Sequence, residues 1–593
     1  MSRTEAEAET VSRVQHVSAR AVVWYLRTVA CLDILGAVSV SLRDRIRHHG
    51  AVDFYTPYLL TAGFASGLFA LVLAVMMNRH KRAAWIANAV LSTLLTLDLA
   101  LSMVLHPEIR QHPFNWLSAG VGVLFAAALV LGRREFRAKG DPSNPRLALG
   151  VLAGGGLLTL LAGVLLVGAT NTEAGAGLHD RLRYVLLRVV TLGFGSPNAL
   201  HVVVPRWVDV SINVLSVGVL LLVLFAMFRT CRGKEFLGDE DETRLRALLE
   251  RHGDRDSLGY FALRRDKSVV FSPSGKAAVA YRVLGGVSLA SGDPIGDVEA
   301  WPGAIERWLE QAREHAWVPA VTGASEEGGT VYARHGLDAL ELGDEAIVEV
   351  AGFSLEGRAM RGVRQAHNKV RRAGYTVALR RHGEIADAEM ETLVGLADQW
   401  RDGETERGFS MALGRLGDPA DGRCLMLECR DGDGGLRALL SFVPWGEHGL
   451  SLDLMRRDRG SDNGLLEFMV IELLQGAGQL GIERVSLNFA VFRAVFERGS
   501  KLGAGPFLRG WRSVLMFFSR WWQIESLYRA NAKYCPQWEP RYLLFERSRD
   551  LPRIALVNAC AEGFIAAPRL PSLLGRRRRG AAVAEKPALE RAA

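Results

Sequence analysis

The sequence predicts a multidomain membrane protein, in which an N-terminal all-α bundle of about six transmembrane helices precedes a C-terminal α/β region. Three observations lead to this prediction. With 593 residues, the chain is too long for a single hydrophobic core. Its long apolar runs lie almost entirely within the first 230 residues. Beyond them, β-branched runs alternate with helical patterns, as they do in soluble α/β proteins.

Six apolar segments, each about 20 residues long and so able to cross a bilayer, define the predicted membrane region at 21–230. They cover residues 21–40, 58–77, 83–105, 114–131, 147–168 and 208–228. Residues 1–20 are polar and carry no small-residue cleavage site. We therefore expect them to be a retained cytoplasmic N-terminus and not a removable signal peptide.

Positive charge is distributed unequally among the predicted loops. Lysine and arginine cluster around Arg79, Arg133 and Arg229, whereas the opposite loops are poorer apart from three arginines at 43–47. The positive-inside rule then places both termini, and everything after residue 229, on the cytoplasmic side of the cell membrane. The net charge of +8 suits that location, where anionic lipid and nucleic acid are the abundant polyanions.

Three charged residues lie inside the predicted spans, namely Arg27, Asp33 and Asp98. A charge within the bilayer is costly, so a functional role is the first hypothesis. Pairing with each other, or a position near the interface, is the structural alternative. The sequence leaves both open.

The order of strand-like and helical patterns recurs in the soluble part, which predicts two α/β units of similar layout and not one large sheet. A charged linker at 231–256 leads to the first unit at 257–383, and the second follows at 384–550. A basic helix at 355–373 joins them. The tail at 551–593 is basic, and since it ends in Ala, Glu and Pro residues, we expect it to be disordered.

Several functional classes lack their sequence motifs. The chain contains no GxxxxGK[ST] phosphate loop, no strand-linked GxGxxG, no GxSxG elbow and no HExxH. Its six cysteines are dispersed without metal-ligand spacing. We therefore expect no metal and no cofactor, and an activated donor must arrive ready-made.

The joining helix carries a stripe of polar side chains that are nearly all cationic. Its members are Arg358, Arg361, Arg364, Asn368, Lys369, Arg371 and Arg372. Three- and four-residue spacing places most of them on one helix face. Such a stripe suits a phosphate backbone. An ordinary basic surface helix, or one lying on anionic lipid, is the alternative.

The stretch SLDLMRRDRGSDNGLLEFMV, which begins at Ser451, places a carboxylate in an apolar strand. Strand alternation puts Asp453 on the face of Ser451, so Arg456 can meet the same ligand only if it lies beyond the end of the strand. Glu467 follows in a helix that is apolar almost all round, where a carboxylate needs a partner or a shifted pKa. A structural salt bridge to Arg456 or its neighbour is the alternative.

Other polar residues interrupt apolar runs where the chain leaves the predicted sheet. They are Asn488, Arg493, Glu525, Lys533 and Arg541. Ligands of α/β folds bind at the ends of strands. We therefore expect these side chains to converge with Asp453 on one site.

From about residue 250 to 548, the chain resembles the cytosolic domain of the phosphatidylglycerol aminoacyltransferases, the multiple peptide resistance factor family. It is more similar to the actinobacterial lysylphosphatidylglycerol synthases. The stretches that carry the resemblance are FSLEGRAMRGVRQAHNKVRRAGY, SLDLMRRD with NGLLEFM, RVSLNFAVFR and YCPQWEPRYLLF. It implies two tandem acetyltransferase-like (GNAT-type) folds separated by the basic helix.

The resemblance also implies a reaction, in which an amino acid, with lysine favoured, passes from aminoacyl-tRNA to the glycerol hydroxyl of phosphatidylglycerol. The product would lower the negative charge of the membrane and give resistance to cationic peptides. By position, Asp453 and Arg456 match the family's catalytic Asp-x-x-Arg. The remaining strand-end candidates, from Glu467 to Arg541, are assigned to that centre more loosely, and the basic helix would hold the tRNA.

The sequence departs from the family pattern in two ways, which concern lipid translocation and the supply of charged tRNA. Large family members have many more spans, including a flippase part, so six spans put lipid translocation in doubt. Relatives fused to lysyl-tRNA synthetase continue into a synthetase domain, and we expect a separate enzyme to supply the charged tRNA here. Another lipid or peptidoglycan acceptor, or a non-catalytic lipid transporter or regulator, stays open, as does the oligomeric state.

Overall fold

A computed structural model describes residues 3–38, 55–61, 63–138, 140, 143–171, 177–190, 202, 204–228, 237–358, 360–401, 408–491 and 531–565. The chain forms two compact units, mainly residues 1–231 and 232–568. Each unit is described by itself below.

The first unit is helical throughout its described secondary structure. Its helices are α1 (Arg3–Val38), α2 (Phe64–Asn78), α3 (Arg82–Leu105), α4 (Pro107–Gln111), α5 (Pro113–Leu131), α6 (Asn144–Thr170), α7 (Leu178–Val190) and α8 (Arg206–Met227). Four of them, α3, α5, α6 and α8, are long and apolar enough to cross a membrane. They confirm the third to sixth predicted spans as apolar helices of spanning length.

The first two predicted spans differ from this pattern. The segment predicted at 58–77 contains a helix of only 15 residues, α2, which is shorter than the ~20 residues that a crossing needs. It is short because residues 58–61 are not helical: Leu59 has φ +62°, and the N–H of Thr61 donates to buried Asp33 at 2.8 Å. The segment predicted at 21–40 coincides with the end of α1, and its role as a span stays a prediction.

The three charged residues that the sequence predicts within the membrane have different surroundings. Asp33 is fully buried and accepts the hydrogen bond from Thr61. The guanidinium of Arg27 lies 5.2 Å from the ring centroid of Trp24, a cation–π contact. Asp98 is exposed on α3. Asp33 therefore meets the backbone of the segment before α2, and a functional role for any of the three stays a prediction.

The second unit contains seven α-helices and twelve strands among its described residues. The helices are α9 (Asp239–His252), α10 (Trp301–Glu314), α11 (Glu326–Arg334), α12 (Arg361–Arg372), α13 (Asp387–Arg401), α14 (Leu465–Gly476) and α15 (Leu551–Ala561). The strands are β1 (Ser268–Phe271), β2 (Ala277–Leu284), β3 (Val287–Ser291), β4 (Ile295–Gly296), β5 (Val318–Ala324), β6 (Asp338–Glu349), β7 (Thr376–Arg381), β8 (Leu425–Arg430), β9 (Leu436–Trp445), β10 (Gly449–Arg457), β11 (Arg484–Val491) and β12 (Gln537–Phe545).

All twelve strands belong to one sheet, in the order β1-β2-β3-β5-β12-β6-β11-β10-β9-β8-β7 with β4 on β2. The prediction of two units instead of one large sheet is therefore wrong. The cause is strand exchange at the middle, because β12 inserts between β5 and β6, and β6 pairs with β11. The similar layout does recur: in each half, antiparallel strands precede a helix and a parallel strand, as in β3-α10-β5 and β10-α14-β11.

The second half of the sheet is covered on both faces. On one face, which we call the α12/α14 face, α14 packs on alternate residues such as Leu440, Phe442 and Leu450 of the strands beneath it. Seven residues of α14 are buried, which confirms the predicted buried helix. On the opposite face, Leu439 packs with α13, and Val443 packs with the segment around Leu413.

Two predicted boundaries need correction. The basic helix begins at Arg361 and not at 355, since Gly357 has φ +89°, a left-handed conformation that interrupts a helix, and so Arg358 lies before it. The tail predicted to be disordered from 551 begins with helix α15, whose Ile554 and Val557 are buried in the core. Residues 566–593 of that tail lie outside the described residues.

Candidate active site

The parallel strands β10 and β11 stop pairing in the middle of the sheet, directly before two of the predicted site residues. Their last paired residues are Ser451 and Ser486. Beyond this pair, the ladder of β10 with β9 is irregular at Asp453, and that of β11 with β6 is irregular before Phe489, in the stretch that holds Asn488. Bulges change the direction of a side chain and occur next to active sites. Asp453 and Asn488 thus occupy the place where the two strands separate.

Asn488 bridges the separating strands. Its φ of +66° lies in the left-handed region, which asparagine tolerates better than most residues. Its Nδ2 donates to the carbonyl oxygen of Leu452 at 2.7 Å. Its Oδ1 is buried and accepts no hydrogen bond from any described residue. An unsatisfied buried acceptor is costly, so this oxygen is suited to a donor on a ligand.

Asp453 is half-buried on the opposite face from α14. Its Oδ1 accepts a hydrogen bond from the backbone N–H of Leu413 at 2.7 Å. Leu413 packs in the same cluster as Val443 of β9. The carboxylate therefore lies between the bulge of β10 and the segment before β8.

Arg456 lies on the same face of the sheet as Asp453, but for a different reason from the one predicted. Strand β10 does not end before Arg456 but continues to Arg457. The bulge shifts the alternation by one residue, so that Arg456 pairs with Leu439, on the face opposite to α14. The requirement that Arg456 lie past the strand's end is thus wrong, and the bulge instead brings both residues to one face.

A short segment, Gly408 to Leu413, which we call the site loop, is held against Asp453 by other elements. The buried carboxylate of Glu562, just after α15, accepts from the N–H groups of Phe409 at 2.7 Å and Ser410 at 3.2 Å and from the Ser410 hydroxyl at 2.6 Å. Burial raises the pKa of Glu562. Arg264 Nη1 donates to the carbonyl oxygen of Gly408 at 2.6 Å.

Lys267 contacts the site loop through the ring of Phe409. It is fully buried, its ammonium lies 4.5 Å from the ring centroid of Phe409, and it donates to the hydroxyl of Ser291 at 2.8 Å. Burial lowers the pKa of Lys267 to about 7. No local pattern in the sequence marks the site loop or its supports, since the contacts with Arg264 and Glu562 span 144 and 153 residues and the contact of Leu413 with Asp453 spans 40.

Glu467 forms an ion pair with Lys533. The structural alternative, a salt bridge to Arg456 or Arg457, is therefore wrong. The side chains of Glu467 and Lys533 are 32% and 46% exposed, and so remain accessible to a ligand. Burial and, second, the charge of Glu467 raise the pKa of neighbouring Tyr534. Asn531 Nδ2 donates to the Leu487 carbonyl at 3.3 Å, which ties this segment to the bulge of β11.

Arg541 does not join these residues but lies in the middle of the sheet. It is 3% exposed, its Nε and Nη2 both donate to Oε2 of buried Glu345, and it donates to Asp256 and Ser257 at 2.8 Å each. Burial alone would lower the pKa of Arg541, but the adjacent carboxylates raise it. The network holds β12 and β6 together, which is a structural position, and a catalytic role stays a prediction.

The cations of α12 and of Arg358, which precedes it, are mostly exposed and have no acidic partner among the described residues. The helix is anchored through its buried side: Val370 packs in the core, and buried His367 lies 2.7 Å from the carboxylate of Glu472 on α14. Five of the seven predicted residues are exposed, and Arg364 and Asn368 are half-buried. None of the six cations forms an ion pair with a described residue. Arg493 and Glu525 lie outside the described residues.

Two protein families match this chain, one over its N-terminal part and one over its C-terminal part. Residues 246–545, just over half of the chain, match the family described as "Phosphatidylglycerol lysyltransferase, C-terminal". The chain belongs to the phosphatidylglycerol lysyltransferase family. Residues 13–228 match the "Transmembrane region of lysyl-tRNA synthetase". Together with the four long apolar helices, this match identifies the chain as a membrane protein.

Curated relatives of this family member are similar to it over nearly all of its sequence. The lysylphosphatidylglycerol biosynthesis bifunctional protein LysX of Mycobacterium marinum is 45% identical over 94% of this chain and 50% of its own length. The protein of the same name from Rhodococcus opacus is 46% identical over 92% of this chain and 48% of its own length. The chain thus spans about half the length of these curated relatives.

Two solved structures are similar to a little over half of this chain. The C-terminal domain of a putative lysylphosphatidylglycerol synthetase from Agrobacterium fabrum is 25% identical, with a TM-score of 0.47 over 55% of this chain and 98% of that one. L-PGS from Bacillus licheniformis is 23% identical, with a TM-score of 0.46 over 56% of this chain and 99% of that one.

Proposed function

We propose that this chain transfers an amino acid, with lysine favoured, from aminoacyl-tRNA to the glycerol hydroxyl of phosphatidylglycerol at the cytoplasmic face of the membrane. Membership of the phosphatidylglycerol lysyltransferase family and the names of its relatives support lysine and this acceptor. The observation that carries the proposal is the pair of residues Asp453 and Asn488 where the parallel strands separate. The two halves of the sheet would correspond to the tandem GNAT-type folds of the family.

The donor would be held along α12. Its exposed cations have no acidic partners among the described residues, so they are available to phosphate groups. Contacts of this kind position a nucleic acid without reading its sequence. The tRNA would lie over the α12/α14 face of the second unit.

The reaction is an ester exchange. An aminoacyl-tRNA ester is already activated, so the protein has to align the lipid hydroxyl with the ester carbonyl, remove the hydroxyl proton and stabilise the oxyanion. Asp453 would orient the hydroxyl or accept its proton. The hydroxyl oxygen then bonds to the carbonyl carbon, the bond to the tRNA ribose breaks, and the ribose oxygen leaves with a proton.

Other residues of the site would bind the reactants. Arg456, on the face of Asp453, and Lys533, paired with Glu467, supply cations for the phosphate of the lipid or of the tRNA 3′ end. The Oδ1 of Asn488 would accept a hydrogen bond from the substrate.

The direct test uses the full chain reconstituted into vesicles and lysyl-tRNA labelled on lysine. We expect label in the lipid fraction when the vesicles contain phosphatidylglycerol, and none when they contain only phosphatidylcholine. Label on a different added lipid would identify another acceptor. No lipid label with any anionic lipid would contradict the proposed reaction.

A further inference from the structure

A cavity of about 220 Å³ lies where β10 and β11 begin, at the opposite end of these strands from the point where they separate. It is formed by the end of β7, the turn before β8 and the β9–β10 hairpin, and two arginines, Arg381 and Arg423, line it. Glycines at 422, 446 and 449 form much of the remaining wall, so the backbone lies close to any occupant.

Backbone carbonyl groups hold the two arginines of the cavity, and the carboxylate of Glu384 lies near Arg381 without forming an ion pair with it. Arg381 Nη1 donates to the carbonyl oxygen of Arg423 at 2.7 Å. Neither arginine forms an ion pair with a described residue, and Glu447, which also lines the cavity, is exposed and pairs with neither. Burial and then the charge of Arg423 lower the pKa of Arg381. An anion in the cavity would relieve this repulsion.

The cavity lies on the same face as α12. Val377 and Leu379 of β7 pack against the α12/α14 core, and Arg381 follows them in the alternation of the strand. Helix α12 runs antiparallel to α14, since Val370 lies beside Gly464 and His367 contacts Glu472 further along. The N-terminus of α12 therefore points toward the end of α14, from which the chain continues into the cavity wall at residue 482.

We infer that this cavity binds a phosphate group of the single-stranded 3′ end of the nucleic acid that α12 holds, an inference that rests on the proposed function. Arginine recognises phosphate through several N–H groups at once. The cavity and the α12 cations would then form one track for a single polyanion, with α12 contacting the duplex part and the cavity the strand that leads to the ester.

The geometry argues against the phosphate of the lipid acceptor. Gly449, in the cavity wall, lies four residues before Asp453 on β10, which corresponds to about 13 Å along a strand. The three-carbon glycerol between the reacting hydroxyl and the lipid phosphate is too short to span that distance.

The test compares two double variants of the full chain that remove the same charge. Arg381→Gln with Arg423→Gln changes the cavity, and Arg307→Gln with Arg313→Gln changes two exposed arginines of α10. The affinity for lysyl-tRNA is measured between 50 and 200 mM salt. We expect the cavity variant to bind about tenfold more weakly and to lower the slope of log K against log salt by about 0.7, the value for one single-strand phosphate. The control should keep the wild-type slope.

Other results would distinguish a tRNA phosphate from a lipid headgroup in the cavity, and either from a failure of the proposed function. Unchanged tRNA binding in the cavity variant, or an equal change in the control, would overturn the site. Weaker binding to phosphatidylglycerol vesicles with unchanged tRNA binding would overturn it in favour of a lipid headgroup. A wild-type chain that binds no tRNA would overturn the proposed function together with this site. If the double variant does not fold, Arg423→Gln alone alters an exposed side chain and gives the same comparison.

Discussion

At the residue scale, the site depends on two backbone irregularities that a regular strand would not provide. Asp453 and Asn488 lie in bulges on neighbouring strands, and the bulge of β10 brings Arg456 to the face of Asp453. Asp453 also binds the site loop through Leu413, so it combines a structural and a proposed chemical role. A substitution that preserves one role and removes the other can separate them.

Asp453→Asn is that substitution. Asparagine keeps Oδ1 as the acceptor for Leu413, so the site loop should stay in place, but the amide cannot accept the hydroxyl proton. We expect lysyl transfer to fall by about 10²-fold or more, with the affinity for lysyl-tRNA within about twofold of wild type. Transfer assays and binding titrations on the full chain measure both. Retained transfer would exclude Asp453 as the base, and lost binding would make its role structural.

His382 gives a prediction about pH. It is 7% exposed, and burial lowers its pKa to about 4. Because the unfolded chain binds a proton near pH 6.5 that the folded chain excludes, stability should decrease as the pH falls from about 6.5 toward 4, by up to about 3 kcal/mol. His382→Gln should reduce this decrease. The melting temperature of the full chain in detergent between pH 4.5 and 7 is the measurement, and identical pH profiles would contradict it.

The sequence could predict most of these residues but not their arrangement. Asp453, Arg456, Glu467, Asn488 and Lys533 were identifiable because polar groups interrupt apolar runs. The alternation rule then placed Asp453 and Arg456 on opposite faces, since it assumes a regular strand and a bulge leaves no pattern of its own. Contacts such as that of Leu413 with Asp453 depend on the tertiary fold and have no local signal.

At the element scale, three elements support the proposed reaction: α12, α14 and the site loop. Helix α12 is anchored to α14 by His367 and Val370, which leaves its cations exposed. The site loop is fixed by Glu562, which lies beyond the last strand of the sheet. The hydrophobic pattern predicted α14 well, because a helix that is apolar all round has to be buried.

The salt dependence of tRNA binding tests α12. Arg361→Gln with Arg371→Gln removes two exposed cations that form no ion pair with a described residue. If each contacts a duplex phosphate, the slope of log K against log salt should fall by about 1.8. The double variant of Arg307 and Arg313 is the charge-matched control. A slope equal to that of wild type would exclude α12 as the tRNA-binding element.

Glu562 tests the site loop. In Glu562→Ala, the buried N–H groups of Phe409 and Ser410 lose their acceptor, and the loop that holds Leu413 against Asp453 is released. We expect transfer to fall between about tenfold and 10²-fold at unchanged tRNA affinity, with partial recovery in Glu562→Gln. Asp293→Asn is the control, a buried carboxylate that instead caps α11 through Ser325. Equal losses of transfer in both variants would indicate general destabilisation.

At the scale of the whole molecule, the sequence predicted a membrane region and an α/β region, and both are present. The prediction of two separate α/β units failed because β12 pairs with strands about 200 residues earlier, and such long-range exchange has no sequence signature. The polarity of Arg541 among apolar residues predicts a site residue, but in the structure Arg541 joins β12 to β6 through Glu345. Four of the predicted spans are long apolar helices, and the second is shortened by the segment that contacts Asp33.

The proposed reaction is tested most simply by the lipid composition of a bacterial host that lacks aminoacylated lipids and expresses the full chain. Mass spectrometry should reveal a new lipid with the mass of phosphatidylglycerol plus one lysine, and the same host with the Asp453→Asn chain at equal membrane level should lack it. An unchanged lipid profile despite inserted wild-type protein would contradict the proposed reaction. The same new lipid in both hosts would contradict the role of Asp453.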